Sequence, residues 1–123
     1  MQIEISNGEI LDKLSILEIK FSNITDMSRL ENVGKERLLL LHARDKIPNF
    51  PSELYDQLKT VNKEIWDIED KIRIKEKNKK FDSEFIQLAR SVYIKNDKRA
   101  VIKKQININT NSDIVEEKSY EKY

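Results

Sequence analysis

Ser52-Glu53-Leu54-Tyr55-Asp56-Gln57-Leu58-Lys59-Thr60-Val61-Asn62-Lys63-Glu64-Ile65-Trp66-Asp67-Ile68-Glu69-Asp70-Lys71-Ile72 is the stretch on which the fold turns. Leu54, Leu58, Val61, Ile65, Ile68 and Ile72 are spaced 4, 3, 4, 3, 4 without a miss. That spacing keeps one apolar stripe on one side of a helix and makes a coiled-coil-like seam. It predicts a helix from Ser52 to about Lys77, roughly 39 Å long. Tyr55, Asn62, Trp66, Glu69 and Arg73 form a row beside the seam.

Downstream, the basic run Lys75 to Lys80 suits a helix C-terminus and a turn. Asp82 is a good N-cap for the next helix, with Phe81 and Ile86 placed as a hydrophobic staple. Phe85, Leu88, Ala89 and Val92 give that helix an apolar face. Lys95-Asn96-Asp97-Lys98-Arg99 then offers no apolar residue, before Ala100, Val101, Ile102, Ile106 and Ile108 resume the pattern. A short turn makes these two helices an antiparallel hairpin in which facing residue numbers sum to about 160. Asn96 then faces Glu64, and Arg99 faces Val61 and Asn62.

Upstream, Ile47-Pro48-Asn49-Phe50-Pro51 is a loop, since each proline pushes its predecessor out of helix. Ile47 and Phe50 are expected to pin it to the core. Ile10, Leu14, Leu17, Phe21 and Ile24, widened by Leu11, mark a first helix from about Gly8, capped by Ser6 or Asn7. Ile3 and Ile5 suggest a short extended lead-in. Ser28-Arg29-Leu30-Glu31 has capping-box spacing, and a second helix runs to about Ala43. Gly34 weakens it by ~1 kcal/mol relative to Ala. The run Leu38 to Leu41 is apolar all round, which predicts burial on more than one side and hints at an oligomer contact. Residues 109–123 are polar and, read alone, fray.

Composition narrows the chemistry. The chain has 123 residues, no Cys, one His and two Gly, with 23 basic and 22 acidic side chains and a net charge of +1. A disulfide framework, Cys-ligated zinc and a histidine metal cluster are excluded. Two glycines do not build a phosphate-cradling loop. No apolar run is long enough to span a membrane, and the N-terminus has no signal-peptide pattern. These features imply a cytoplasmic protein. The near-neutral balance argues against bulk binding to nucleic acid.

Two constellations remain. Asn62, Trp66, Arg90, Tyr93, Lys95, Asn96, Arg99 and Lys103 gather cations, amides and flat rings beside the hairpin's polar block. They read either as a polar layer that fixes helix register, or as a pocket for an anionic ligand with a ring, such as a nucleotide or sugar nucleotide. Glu9 with Asp12, and Glu64 with Asp67, place carboxylates one turn apart on two helices. They read as solvated faces paired with lysines, or as ligands for Mg²⁺ in a nucleotide hydrolase. No other cofactor is implied. His42 reads as a helix C-terminal residue rather than a catalytic base.

Ser6 to Lys20, Asn62 to Arg73, Phe81 to Lys103 and Val115 to Tyr120 resemble an uncharacterised family of small helical proteins from bacteria and phages. The resemblance implies a helical domain, sometimes encoded near glycan-assembly genes, with no established activity. It also implies that Glu116 to Tyr120 docks rather than frays. The resulting expectation is a single all-α domain over residues 1–123, an antiparallel bundle of about four helices with a long helix 3–helix 4 hairpin. Its expected role is a non-enzymatic binding or assembly module acting as a homo-oligomer. A binder of a phosphorylated small ligand and a Mg²⁺-dependent hydrolase are the alternatives.

Overall fold

The computed structural model describes all residues from Met1 to Tyr123. It contains four helices and no strand: α1 (Asn7–Asn23), α2 (Met27–Arg44), α3 (Ser52–Lys77) and α4 (Ser83–Asn109). The lead-in with Ile3 and Ile5 therefore pairs with nothing.

Side chains set three of the four helix starts. Ser6 Oγ accepts the Glu9 amide at 3.1 Å, and Asp82 Oδ1 accepts the Phe85 amide at 2.9 Å. Each satisfies an otherwise orphaned first-turn donor. The second helix corrects the sequence reading. Its cap is Asp26, whose Oδ1 accepts the Arg29 amide at 3.0 Å, and Ser28 lies inside the first turn. The staple differs too. Phe81 packs edge-on against Phe85 at 5.3 Å, while Phe81 and Ile86 both stay exposed.

The α3–α4 turn closes as a Schellman motif. Lys80 N donates to Lys75 O at 3.0 Å and Lys79 N donates to Glu76 O at 3.1 Å, with Lys79 left-handed at φ 52°. Lys95 then pairs with Glu64, and Lys75 Nζ with Asp82 at 2.8 Å, which fixes the antiparallel register close to that read from the sequence.

The core joins Leu11 and Leu14 of α1 to Tyr55, Leu58 and Val61 of α3, Ile102 and Ile106 of α4, and Ile47 of the loop. Ile47 pins the loop as expected. Phe50 only half does so, lying edge-on to Tyr55 at 5.5 Å and beneath Arg44. All the buried residues of α3 lie between Tyr55 and Asn62, and those of α4 between Ile102 and Asn107. Beyond that level α3 and α4 run on as a two-helix arm.

The centre of the bundle is α1, which packs on the other three helices, whereas α2 packs on α1 alone. This corrects the expectation for the leucine run. Leu40 and Leu41 lean on the core, but Leu38 and Leu39 are 59% and 71% exposed. A four-leucine run needs apolar neighbours on two sides, and within one chain α2 has them on one.

Candidate functional site

Gly8, Leu11, Asp12 and Ser15 lie at i, i+3, i+4 and i+7 on α1, so they share the face turned to α3 and α4. Two are polar and buried. Asp12 and Ser15 are both 0% exposed. A carboxylate taken this far from water needs hydrogen bonds and a counter-charge. Arg99 of α4 supplies both: its Nε donates to Asp12 Oδ1 at 2.9 Å, and Nη2 donates to Oδ2. This is the bidentate fork for which guanidinium is shaped. Asn62 of α3 completes the shell, its Nδ2 donating to Asp12 Oδ1 at 2.8 Å and to Ser15 Oγ at 2.7 Å. Ser15 Oγ donates in turn to the Asp12 carbonyl at 2.7 Å. One polar cluster thus ties three helices together.

A second pair extends it one turn along α4. Lys103 Nζ donates to Glu9 Oε2 at 2.6 Å and lies 3.6 Å from Asp12 Oδ2. Burial disfavours the Glu9 carboxylate, but the hydrogen bond and charge of Lys103, helped by Lys13, outweigh it and hold Glu9 below the usual carboxylate range. The hydrogen bonds to Asp12 push the Arg99 guanidinium further up. At the end of the row the helices touch. Gly8 N donates to Asn107 Oδ1 at 2.7 Å, and a Cβ at Gly8 would stand 2.6 Å from the Lys103 carbonyl oxygen. Only glycine allows α1 and α4 to come this close.

The C-terminal segment lies over this end of α4. Asn111 is left-handed at φ 53°, and Ser112 N donates back to Asn107 O at 2.8 Å. Ser112 Oγ accepts the Asn7 amide at 3.1 Å. Glu116 then approaches Lys103 at 3.8 Å, Glu117 meets Lys104 at 3.0 Å, and Tyr123 Oη donates to Asp97 at 2.7 Å. The segment docks through ion pairs and an edge-on Tyr93–Tyr123 contact, and leaves a cavity of about 630 Å³ between itself and α4.

The structure divides the predicted ligand set. Tyr93, Asn96, Arg99 and Lys103 line the cavity under the C-terminal segment. Asn62 and Trp66 line a smaller one, about 340 Å³, on the α1–α3 side, with Arg99 shared between the two. Lys95 is paired with Glu64, and Arg90 is exposed with no ion-pair partner. The predicted metal carboxylates do not converge. Glu9 and Asp12 hold Lys103 and Arg99, Glu64 holds Lys95, and Asp67 accepts from Lys63 at 3.1 Å. No group of three or more acidic or His side chains is placed to hold a metal ion.

Ser15 and Asn107 do not stand out in the sequence, and nothing local to Gly8 shows that α4 approaches it. The available signal was the 8, 12, 15 spacing of small and polar residues on one face of an apolar helix.

A family model described as Family of unknown function (DUF6165) matches residues 1–123. The chain belongs to that family. No curated protein and no solved structure matches it. Ser6 to Lys20 and Phe81 to Lys103 contain the ion-paired residues Glu9, Asp12, Arg99 and Lys103. No helix is long and apolar enough to cross a membrane.

Proposed function

We propose that this chain is a non-enzymatic binding or assembly module that works as a homo-oligomer. The observation that carries this reading is uncovered apolar surface on a helix with one neighbour: α2 leaves Leu38 and Leu39 in solvent. Apolar side chains clustered at a surface mark interaction sites, and most soluble oligomers cover such sites with a copy of the same chain. The polar cluster supports the reading from the other direction. Asp12, Glu9, Arg99 and Lys103 bind one another, two anions against two cations, so the strongest charges near α4 are engaged in holding helices together. Light scattering across a concentration series tests the proposal. A multiple of the chain mass is expected, and a monomer at every concentration refutes it.

A second reading has one observation in its favour. The cavity of about 630 Å³ under the C-terminal segment has the size of a small-molecule site and is lined by Tyr93, Tyr120, Asn96 and Lys103. Rings, an amide and a cation suit a nucleotide, a sugar nucleotide or another phosphorylated ligand. A ligand there would have to compete with Glu9 and Glu116 for Lys103. A thermal-shift screen of such ligands on the wild type and on Tyr93→Ala tests it. A rise in melting temperature that Tyr93→Ala abolishes is expected, and no rise with any ligand refutes it. The source we infer, from the resemblance of the four quoted strings, is a bacterium or a phage.

A further inference from the structure

Gly34 sits in the middle of α2, where glycine is among the poorest helix formers. Nothing in the chain asks for it. A Cβ there would have no atom within 4 Å, in contrast to Gly8, whose Cβ would strike the Lys103 backbone. A glycine at an open helix position leaves room for the close approach of another backbone.

The residues around Gly34 say what that backbone is. Met27, Gly34 and Leu38 are spaced 7 and 4, which is one helical stripe, and Met27 is 79% exposed. Glu31 and Lys35 flank the stripe on one side, and neither has an ion-pair partner within the chain. The arrangement is self-complementary if it is turned end for end. With a two-fold axis at the level of Val33 and Gly34, facing numbers sum to about 66, since two helices rise equally along their axes. Glu31 then meets the partner's Lys35 twice over. Met27 meets the partner's Leu38, and Gly34 falls beside the crossing point. In antiparallel pairs the same flank of each helix faces the other, so the charges meet on the correct side.

We propose that α2 is the docking face for a second copy of this chain, packed antiparallel about a two-fold axis near Gly34, with Glu31 opposite the partner's Lys35. This rests on the assembly reading above and assigns its interface. A parallel pairing would bring opposite flanks together, so Glu31 and Lys35 would face the partner's other flank and their complementarity would be lost.

Charge reversal tests it on the full chain, by light scattering and sedimentation. Glu31→Lys and Lys35→Glu each turn attraction into repulsion at both symmetry-related contacts. Each variant alone is expected to dimerise at least tenfold more weakly than the wild type, with unchanged helix content by circular dichroism. Mixed, the two are expected to form a heterodimer, because one variant then carries lysine at both positions and the other carries glutamate at both. The double variant Glu31→Lys/Lys35→Glu is expected to regain the wild-type mass. Gly34→Leu is expected to weaken the dimer while leaving the chain folded.

If the variants alone dimerise as tightly as the wild type, or mixing restores nothing, the proposal is overturned. If α2 variants leave the mass unchanged while Val101→Glu on the outer face of α4 dissociates the oligomer, the interface is misassigned and the assembly reading stands. A wild-type chain that is monomeric throughout overturns both.

Discussion

Asp12→Asn is the most revealing single substitution. It keeps the volume and one acceptor oxygen but removes the charge that Arg99 and Lys103 answer. Asp12 has a side chain only 1% exposed, while Arg99 is 28% exposed on the other side of the pair. Breaking a fully buried pair costs ~3–5 kcal/mol, because the remaining charge is left without compensation. Arg99 keeps some water, so the cost falls to about 2–3 kcal/mol once solvent screening is allowed for. A chain of this length loses about 4 °C of melting temperature per kcal/mol, so thermal unfolding by circular dichroism should show a drop of about 10 °C. Arg99→Gln in the same background should add little, since the pair is already broken, giving a coupling of about 1–3 kcal/mol in a double-mutant cycle. A drop of less than about 2 °C, or simple additivity of the two substitutions, would show that the cluster does not hold the helices.

Other outcomes follow from the same geometry. Gly8→Ala pushes a methyl against the Lys103 carbonyl, so it should cost about 2 kcal/mol or more in urea unfolding even though alanine favours helix. Lys79→Gly should stabilise by about 1 kcal/mol, since the left-handed position at the α3–α4 turn then carries no Cβ. Glu9 has a folded pKa below its unfolded value of about 4.3, so its stabilisation is complete above that value and lost as pH falls through the folded one. Glu9→Gln should therefore flatten the acid limb of a stability-against-pH curve and leave the neutral-to-alkaline part parallel to the wild type. Deleting residues 113–123 removes ion pairs that are largely exposed. It should lower stability by about 1 kcal/mol or less, measured by the same urea titration.

The helices were legible because their signals are local. The 4, 3, 4, 3, 4 seam of α3 and the cap at Asp82 act within one or two turns, and the structure runs α3 over the range the seam indicates and starts α4 at that cap. The Asp26 cap was missed because Ser28 offered the same chemistry two residues later, and local pattern does not choose between them. The cluster was half legible. Asp12, Asn62 and Arg99 each stand out as polar residues beside apolar stripes, but their spacing divides them between two sites. Sequence spacing predicts neighbours along one helix or across one hairpin. The pairing of Asp12 with Arg99, 87 positions apart, depends on how α1 lies in the groove of that hairpin. The leucine run was half legible for a related reason. Its apolar character is plain, but burial depends on which helices are available to cover it, and within one chain α2 has only α1.

With its buried charges engaged inside the chain and the apolar face of α2 left uncovered, this protein should associate with itself. The mass of the unmodified 123-residue chain in solution decides the matter, measured by light scattering from low to high concentration. Twice the chain mass of 14.6 kDa, or a higher multiple, is expected at high concentration, with dissociation on dilution. A constant mass of 14.6 kDa across the series would contradict it.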